Sequence, residues 1–317
     1  MNKLKKLGLT ALAGSLVATS AYAGSLDVTA GASIKYVTED EDEVTGNPLS
    51  MGRTITFSGG GDMDNGMAVN FSYVMADAAY SSASLNVDMG DTGVFHFENG
   101  NQATGLMSMK DMIPVAGTEQ AYDDMGATDN GLASMANEGV IGFKRTIGDI
   151  TASVNYNKGG DTSTGGEVAG QDGSSHSVAV SGEIADGVSA GLAWGDVSGA
   201  TKDTDETQIT SYVKYVAGAF TTALQYTDID KPAGVNDIDS LGYGVTFAVN
   251  ENLSIGASAL DVDFNDGTKA DEESRAFGAS YTMGSMSLKG TTATKDAQNG
   301  ASGTDDKHTE IVLSFAF

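Results

Sequence analysis

The chain has no cysteine, three prolines and one tryptophan among its 317 residues. Without cysteine it has neither disulfides nor a thiol nucleophile, so an extensive hydrogen-bond network must hold it together. Basic residues are also scarce: 17 Lys and Arg stand against 43 Asp and Glu, a formal net charge of −26. This imbalance argues against nucleic acid as a partner and against docking on an anionic lipid surface.

Long hydrophobic runs are absent too: no segment has 18 consecutive apolar residues. A membrane-spanning helix is therefore not expected. The start of the chain carries a shorter run. Lysines at positions 3, 5 and 6 precede the apolar stretch 7–18, and Ala21-Tyr22-Ala23 follows as an A-x-A cleavage pattern. Residues 1–23 are therefore predicted to be a secretory signal peptide, which leaves 24–317 as one exported domain.

What the chain has in abundance is glycine, 42 residues in all, and alternating apolar and polar positions. In the stretch SLDVTAGASIKYV, Leu26, Val28 and Ile34 share one face of a strand while Asp27 and Lys35 share the other. The last residues, HTEIVLSFAF, alternate in the same way up to Phe317. Sixteen such segments follow one another between turn signals, which predicts an all-β protein.

The connections between these segments alternate in length. Along the chain, a short turn is followed by a longer polar stretch and then by another short turn. The longer stretches carry most of the acids. This pattern is typical of a 16-stranded antiparallel transmembrane β-barrel, with short periplasmic turns and long external loops. A soluble periplasmic β-sandwich is the alternative, because alternation alone suits both folds.

Two further observations favour the barrel. A closed sheet of this size has a water-filled interior, which suits the Thr, Ser, Asn and Gly of the polar faces. Aromatic residues also recur near strand ends, as in the two aromatic girdles of such barrels. They are Tyr36, Tyr73, Tyr156, Trp194, Tyr226, Phe264 and Phe317. The last strand would pair with the first, which removes both sheet edges.

Several segments together resemble the Gram-negative general diffusion porin family: the AYA ending at residue 23, the opening strand, the stretch GRTITFSGGGDMDNGMAVNFSY, the long stretch after the fifth strand and the terminal Phe317. The resemblance covers the whole exported sequence. It implies a homotrimer in the bacterial outer membrane, in contact with outer-membrane lipids and lipopolysaccharide. It also implies that Phe317, with Phe315, is the signal read by the outer-membrane assembly machinery, and that the stretch 99–138 folds into the lumen as a constriction loop.

The stretch 99–138 is far longer than an ordinary hairpin loop. Its acids are Asp111, Glu119, Asp123, Asp124, Asp129 and Glu138, opposed only by Lys110. An acidic constriction favours cations over anions. The alternative is a solvated outer loop.

Strand parity predicts which charged residues line the lumen wall. The inward lysines are expected to be Lys35, Lys144, Lys214 and Lys289, and the inward acids Asp27, Asp88 and Glu98. Arg53 shares parity with Ile55 and Phe57 and is expected to face outward. The basic side of the lumen is therefore sparse, which is consistent with a preference for cations.

The segment DVDFNDGTKADE places Asp261, Asp263 and Glu272 at positions one, three and twelve, as a calcium-binding loop would. Asp266 occupies the position that such a loop gives to glycine, and no helices flank the segment, so a strand that continues into a loop is preferred. Weak Ca²⁺ binding by these acids is the alternative, and no other cofactor is expected.

The three histidines, His96, His176 and His308, lie in no catalytic or metal-binding motif, and no phosphate-binding loop is present, so an enzyme is not expected. The sequence predicts a passive diffusion channel for small hydrophilic solutes and ions, with a preference for cations. The alternative is a surface barrel that acts in adhesion or envelope integrity and conducts little.

Overall fold

The computed structural model describes residues 26–39, 47–77, 79–100, 103–121, 125, 132, 139–158, 174–198 and 205–317. Sixteen antiparallel strands close into one barrel. Their bounds are β1 Leu26–Thr38, β2 Leu49–Asp62, β3 Ala68–Ala76, β4 Ala79–Asp88, β5 Val94–Asn99, β6 Val140–Ile147, β7 Ile150–Asn157, β8 Ser175–Ala185, β9 Val188–Val197, β10 Glu206–Ala217, β11 Phe220–Asp230, β12 Ile238–Ala248, β13 Leu253–Asp263, β14 Glu272–Met283, β15 Met286–Asp296 and β16 Asp306–Ala316. No helix in these ranges is long and apolar enough to cross a membrane.

Each strand pairs with its sequence neighbours, and β1 closes the barrel by pairing with β16, where Ile34 lies opposite Leu313. The closed sheet has no free edge, so the backbone groups of the strands are hydrogen-bonded within the barrel. The predicted strand number, antiparallel order and closure are confirmed, and the β-sandwich alternative is excluded.

The two faces of the barrel differ in the way that a lipid environment requires. Large apolar side chains such as Val28, Leu192 and Leu224 lie on the outside with more than half of their surface exposed. Polar side chains such as Ser177 and Thr210 point inward and are buried. An exposed apolar band that surrounds a polar interior is the inverse of a soluble protein and is typical of a membrane barrel.

Short turns join the strands at one end of the barrel, which we call the turn end. Gly148, Gly218 and Gly284 hold three of these turns at φ of +60°, +59° and +59°. A side chain is strained at such angles, so glycine is the residue that these tight hairpins require. The opposite end, the loop end, carries the longer connections.

One connection at the loop end is much shorter than its neighbours. β3 ends at Ala76 and β4 begins at Ala79, so only two residues join them. The Asp77 carboxylate fastens this turn to β2, because its Oδ1 accepts a hydrogen bond of 3.0 Å from the backbone N–H of Arg53. The Arg53 side chain lies on the outer face and pairs with Asp77 at 3.4 Å.

The interior is less uniformly polar than the alternation predicts. Phe264, which the sequence assigns to an aromatic girdle, is instead buried together with Ile229, Ile238, Leu260 and Val262. Even-numbered positions of β13 point inward, and Phe264 directly after the strand keeps that parity. The aromatic side chain therefore extends an inward apolar cluster near the loop end rather than an outer girdle.

Candidate functional site

The connection between β5 and β6, residues 100–139, is called the inner loop. Its described residues lie against the inward face of the barrel wall. Near its start, the carbonyl of Thr104 accepts a hydrogen bond of 2.9 Å from Asn155 on β7. The backbone N–H of Leu106 donates to Ser177 on β8 at 2.8 Å. The loop thus begins to follow the wall as soon as it leaves β5.

Further along, the same kind of contact fastens the loop to more distant strands. Gln225 on β11 accepts a bond of 3.0 Å from the Met112 N–H and donates one of 2.8 Å to the Met109 carbonyl. The N–H of Thr118 donates to Thr291 on β15 at 2.8 Å. Polar wall side chains therefore satisfy the loop backbone, as irregular backbone inside a barrel requires.

Glycines on the wall make room for the loop. A Cβ atom at Gly244 would lie 2.7 Å from Ile113, and one at Gly278 would lie 2.5 Å from the backbone of Gly117. A Cβ at Gly191 would meet Met109 at 3.0 Å. These inward glycines form a groove across β9, β12 and β14. The sequence analysis did not assign them this role, although inward glycines on several strands are a readable signal.

Apolar anchors hold both halves of the loop. Leu106, Met109 and Leu132 form a buried cluster with Ala179 and Ala193 on β8 and β9. The small alanine side chains let the loop approach the wall closely. Burial of these three large side chains stabilises the loop position by about 1.5–3 kcal/mol each.

The structure separates the predicted loop acids. Asp111 adopts a φ of +60°, pairs with Lys110 at 3.8 Å and faces a recess that Ile113 and Gln225 also line. Glu119 lies farther along the wall, beside His308. The other four predicted acids, Asp123, Asp124, Asp129 and Glu138, fall outside the described residues.

The wall residues predicted from parity occupy inward strand positions, with different partners. Glu98 is buried and accepts a hydrogen bond of 3.0 Å from the Ala103 N–H, which fixes the start of the inner loop. Asp88 accepts a bond of 2.9 Å from the Gly90 N–H and closes the β4–β5 turn. Asp27 lies in a polar recess with Asn70 and Asn86.

The inward lysines also differ in their surroundings. Lys35 contacts Glu310 on β16. Lys144 shares the inward face of the β5–β6 pair with Glu98. Lys214 lies on the inward face of β10, and Lys289 on that of β15. The lysines are thus distributed around the wall rather than gathered opposite one loop segment.

A cluster that the sequence analysis did not predict lies where the inner loop reaches β16. The His308 Nδ1 is 2.9 Å from Glu39 Oε1, and its Nε2 is 3.3 Å from Glu119 Oε1. Glu310 joins this group from the same strand. Parity predicts the inward direction of His308, but its partners are remote in sequence and no motif connects them.

A second unpredicted contact fastens the far part of the loop. Lys295 on β15 is fully buried beside Glu272 on β14, with Nζ 3.7 Å from Oε1. The same ammonium donates to the Met125 carbonyl at 2.5 Å. A buried charge requires such partners, so Lys295 holds both the wall and the loop.

The three calcium candidates do not meet in one site. Asp261 and Asp263 lie on the outward face of β13, whereas Glu272 points inward beside Lys295. Asp261 is already paired with Arg275 at 2.5 Å. The strand continues to Asp263 before the loop begins, so the segment lacks the continuous loop that a calcium motif needs.

Known proteins share this architecture. The anion-selective porin from Comamonas acidovorans matches with a TM-score of 0.67 and 16% identity, over 93% of this chain and 100% of that one. Salmonella typhi OmpF in complex with daunomycin matches with a TM-score of 0.69 and 15% identity, over 93% and 98%. The trimer form of Vibrio cholerae OmpT matches with a TM-score of 0.66 and 13% identity, over 93% and 100%. No curated protein sequence matches the chain.

A closed barrel with an apolar exterior and a loop against its inner wall is the architecture of an outer-membrane channel. The family model described as Gram-negative porin matches residues 8–311. The chain therefore belongs to the Gram-negative porin family. Family and fold together support a passive channel across the outer membrane.

Proposed function

We propose that the chain is a general diffusion channel for small hydrophilic solutes and ions, in which the inner loop limits size and acidic side chains favour cations. The observation that carries the proposal is the path of the inner loop along the wall, from Thr104 beside β7 to Thr118 beside β15. A loop that runs along the inner wall occupies part of the lumen and so limits the size of the solutes that pass.

The distribution of charge supports the preference for cations. Several lysines that reach the interior are offset by an acid. Lys35 contacts Glu310, Lys231 contacts Glu206 at 2.9 Å, and Lys295 lies beside Glu272. The proposed bias comes from the inward acids, among them Asp27, Asp88 and, beside Lys110, Asp111. A lumen with negative bias concentrates cations and repels anions.

The proposal includes a homotrimer that contacts outer-membrane lipids and lipopolysaccharide. Support comes from the trimer form of Vibrio cholerae OmpT, which has the same fold. It also includes removal of residues 1–23 on export and recognition of Phe317, with Phe315, during assembly. Phe317 pairs with Ala30 through two backbone hydrogen bonds and its ring is exposed, which suits an accessible signal.

The cation preference is tested by the reversal potential of the channel in a planar bilayer under a KCl gradient. Low salt is used, because screening weakens the effect of lumen charges. The wild type is expected to reverse on the cation side. Asp111→Asn should move the reversal potential towards zero, and Lys214→Gln should move it away. Asp266→Asn, on the exposed β13–β14 connection, is the matched control and should leave it unchanged.

An anion-side reversal of the wild type would reject the charge interpretation and keep the channel. An inserted barrel that carries no current would reject the channel and favour a surface barrel in adhesion or envelope integrity.

A further inference from the structure

Four side chains from three parts of the chain meet inside the barrel. Glu39 follows β1, Glu119 belongs to the inner loop, and His308 and Glu310 belong to β16. His308 and Glu310 are almost fully buried, with 1% and 3% of their side chains exposed. One donor atom from each of Glu119, His308 and Glu310 lies within 4.8 Å of the other two.

A hydrogen bond at Nδ1 orients the imidazole ring of His308. Nδ1 lies 2.9 and 3.0 Å from the two oxygens of Glu39, a geometry in which the N–H donates to the carboxylate. Proteins use this arrangement to fix the tautomer of a metal-binding histidine. The lone pair of Nε2 then points away from Glu39 and towards the inner loop.

The facing atom is a carboxylate oxygen. Glu119 Oε1 lies 3.3 Å from Nε2, so two lone pairs meet unless a cation lies between or beside them. Two ligands that are each about 2.0–2.1 Å from a tetrahedral Zn²⁺ are about 3.3 Å apart. The observed separation fits two atoms that share one metal ion, and a hydrogen bond from a protonated Nε2 would give a similar distance.

The charge of the cluster also favours a bound cation. Glu39, Glu119 and Glu310 contribute three negative charges, and the Lys35 ammonium against Glu310 contributes one positive charge. With a neutral imidazole the net charge is −2 in a largely buried place. Carboxylates gathered in a largely buried place favour a cation among them, and one divalent cation would balance the charge of these side chains.

We propose that Glu119, His308 Nε2 and Glu310 bind one divalent transition-metal cation of the Zn²⁺ class, with Glu39 as the outer partner of the histidine. Imidazole with carboxylates suits Zn²⁺ and its neighbours in the first transition series. Ca²⁺ takes six to eight oxygen ligands, which this set does not supply. The bound ion ties the inner loop to β16.

The competing occupant is a proton on Nε2, which would make His308 an imidazolium between Glu39 and Glu119. The two occupants are distinguished by a binding experiment, which does not depend on conduction. The full-length barrel, refolded in detergent micelles and stripped of metal, is titrated with Co²⁺ and with Zn²⁺. The titration is repeated at several pH values, because a metal ion at Nε2 must displace the competing proton. Visible absorption reports Co²⁺ coordination, and calorimetry reports Zn²⁺ binding.

The expected result is one site per chain, with Co²⁺ bands of nitrogen and oxygen coordination, and no displacement by millimolar Ca²⁺. His308→Asn should abolish the site. Glu39→Gln should weaken Zn²⁺ binding about 10–100-fold, as loss of an outer partner does. His176→Asn is the matched control, because His176 is half exposed on the outer face and lies far from the inner loop.

Absence of Zn²⁺ binding by the folded wild type would overturn the proposal and leave the proton as the occupant. Equal Zn²⁺ binding by His308→Asn and His176→Asn would also overturn it, because the metal would then lie on surface acids. Folding of each variant is checked by heat-modifiable migration on a gel. If His308→Asn does not fold, Glu119→Gln replaces it, since a loop substitution leaves the strands intact and the same loss of binding is expected.

Discussion

Lys295 and Glu272 lie side by side inside the barrel, on neighbouring strands, with both side chains fully buried. The pair is joined to the inner loop, because Lys295 donates to the Met125 carbonyl and Glu272 accepts from the Asn299 N–H at 2.8 Å. Two strands, the inner loop and the β15–β16 connection thus depend on one ion pair.

Lys295→Met should destabilise the barrel strongly, because it leaves the Glu272 carboxylate buried without its ammonium. Loss of one partner of a buried pair costs about 3–5 kcal/mol. Urea unfolding of the refolded protein, followed by tryptophan fluorescence, measures the change. The double variant Lys295→Met with Glu272→Leu should recover much of the loss, since two apolar groups need no partner. A single variant as stable as the wild type would show that the pair has no structural role.

Gly244→Ala should lower single-channel conductance, because the new methyl group would lie 2.7 Å from Ile113 and push the inner loop into the lumen. The measurement is the step size in a planar bilayer. Ile113→Ala in the same chain should restore part of the conductance, because it removes the atoms that the methyl group meets. Gly267→Ala is the matched control, with open space around the added Cβ, and should conduct as the wild type does. Equal conductance of all these variants would refute the wall-groove explanation.

Asp77→Ala should reduce stability by about 1–2 kcal/mol, since it removes an acceptor and leaves alanine in left-handed backbone. Asp77 has a φ of +51° and accepts a hydrogen bond from the Arg53 N–H. Asp77→Asn should cost less, because asparagine tolerates this conformation and keeps the oxygen. Chemical denaturation ranks the variants. The account of this turn fails if alanine is tolerated as well as asparagine.

Much of the fold follows from the period of two. The alternation of Leu26 and Val28 with Asp27 predicts which face meets lipid, because one face of each strand must be apolar. The assignment of Phe264 to the aromatic girdle was wrong for a physical reason. Position relative to a strand end does not decide whether an aromatic side chain faces lipid or the interior, because the register decides it. Phe264 follows the inward parity of Leu260 and Val262 and therefore packs with them inside the barrel.

The interior contacts were harder to predict. Glu39 and His308 are 269 residues apart and meet only because β1 closes on β16. Glu119 reaches them because wall glycines such as Gly244 and Gly278 guide the inner loop across the barrel. Neither relationship is visible as a motif, since closure and loop path arise from the whole sheet. The available sequence signal was an inward histidine, His308, two residues before Glu310 on the strand that closes the barrel.

The most direct test of the central claim is the current through single wild-type molecules in a planar bilayer with equal KCl on both sides. A diffusion channel whose inner loop narrows the lumen predicts stable, stepwise openings, in groups of three for a trimer, and steps that grow in proportion to the salt concentration. Correctly folded barrels that insert into the bilayer without conductance steps would contradict it.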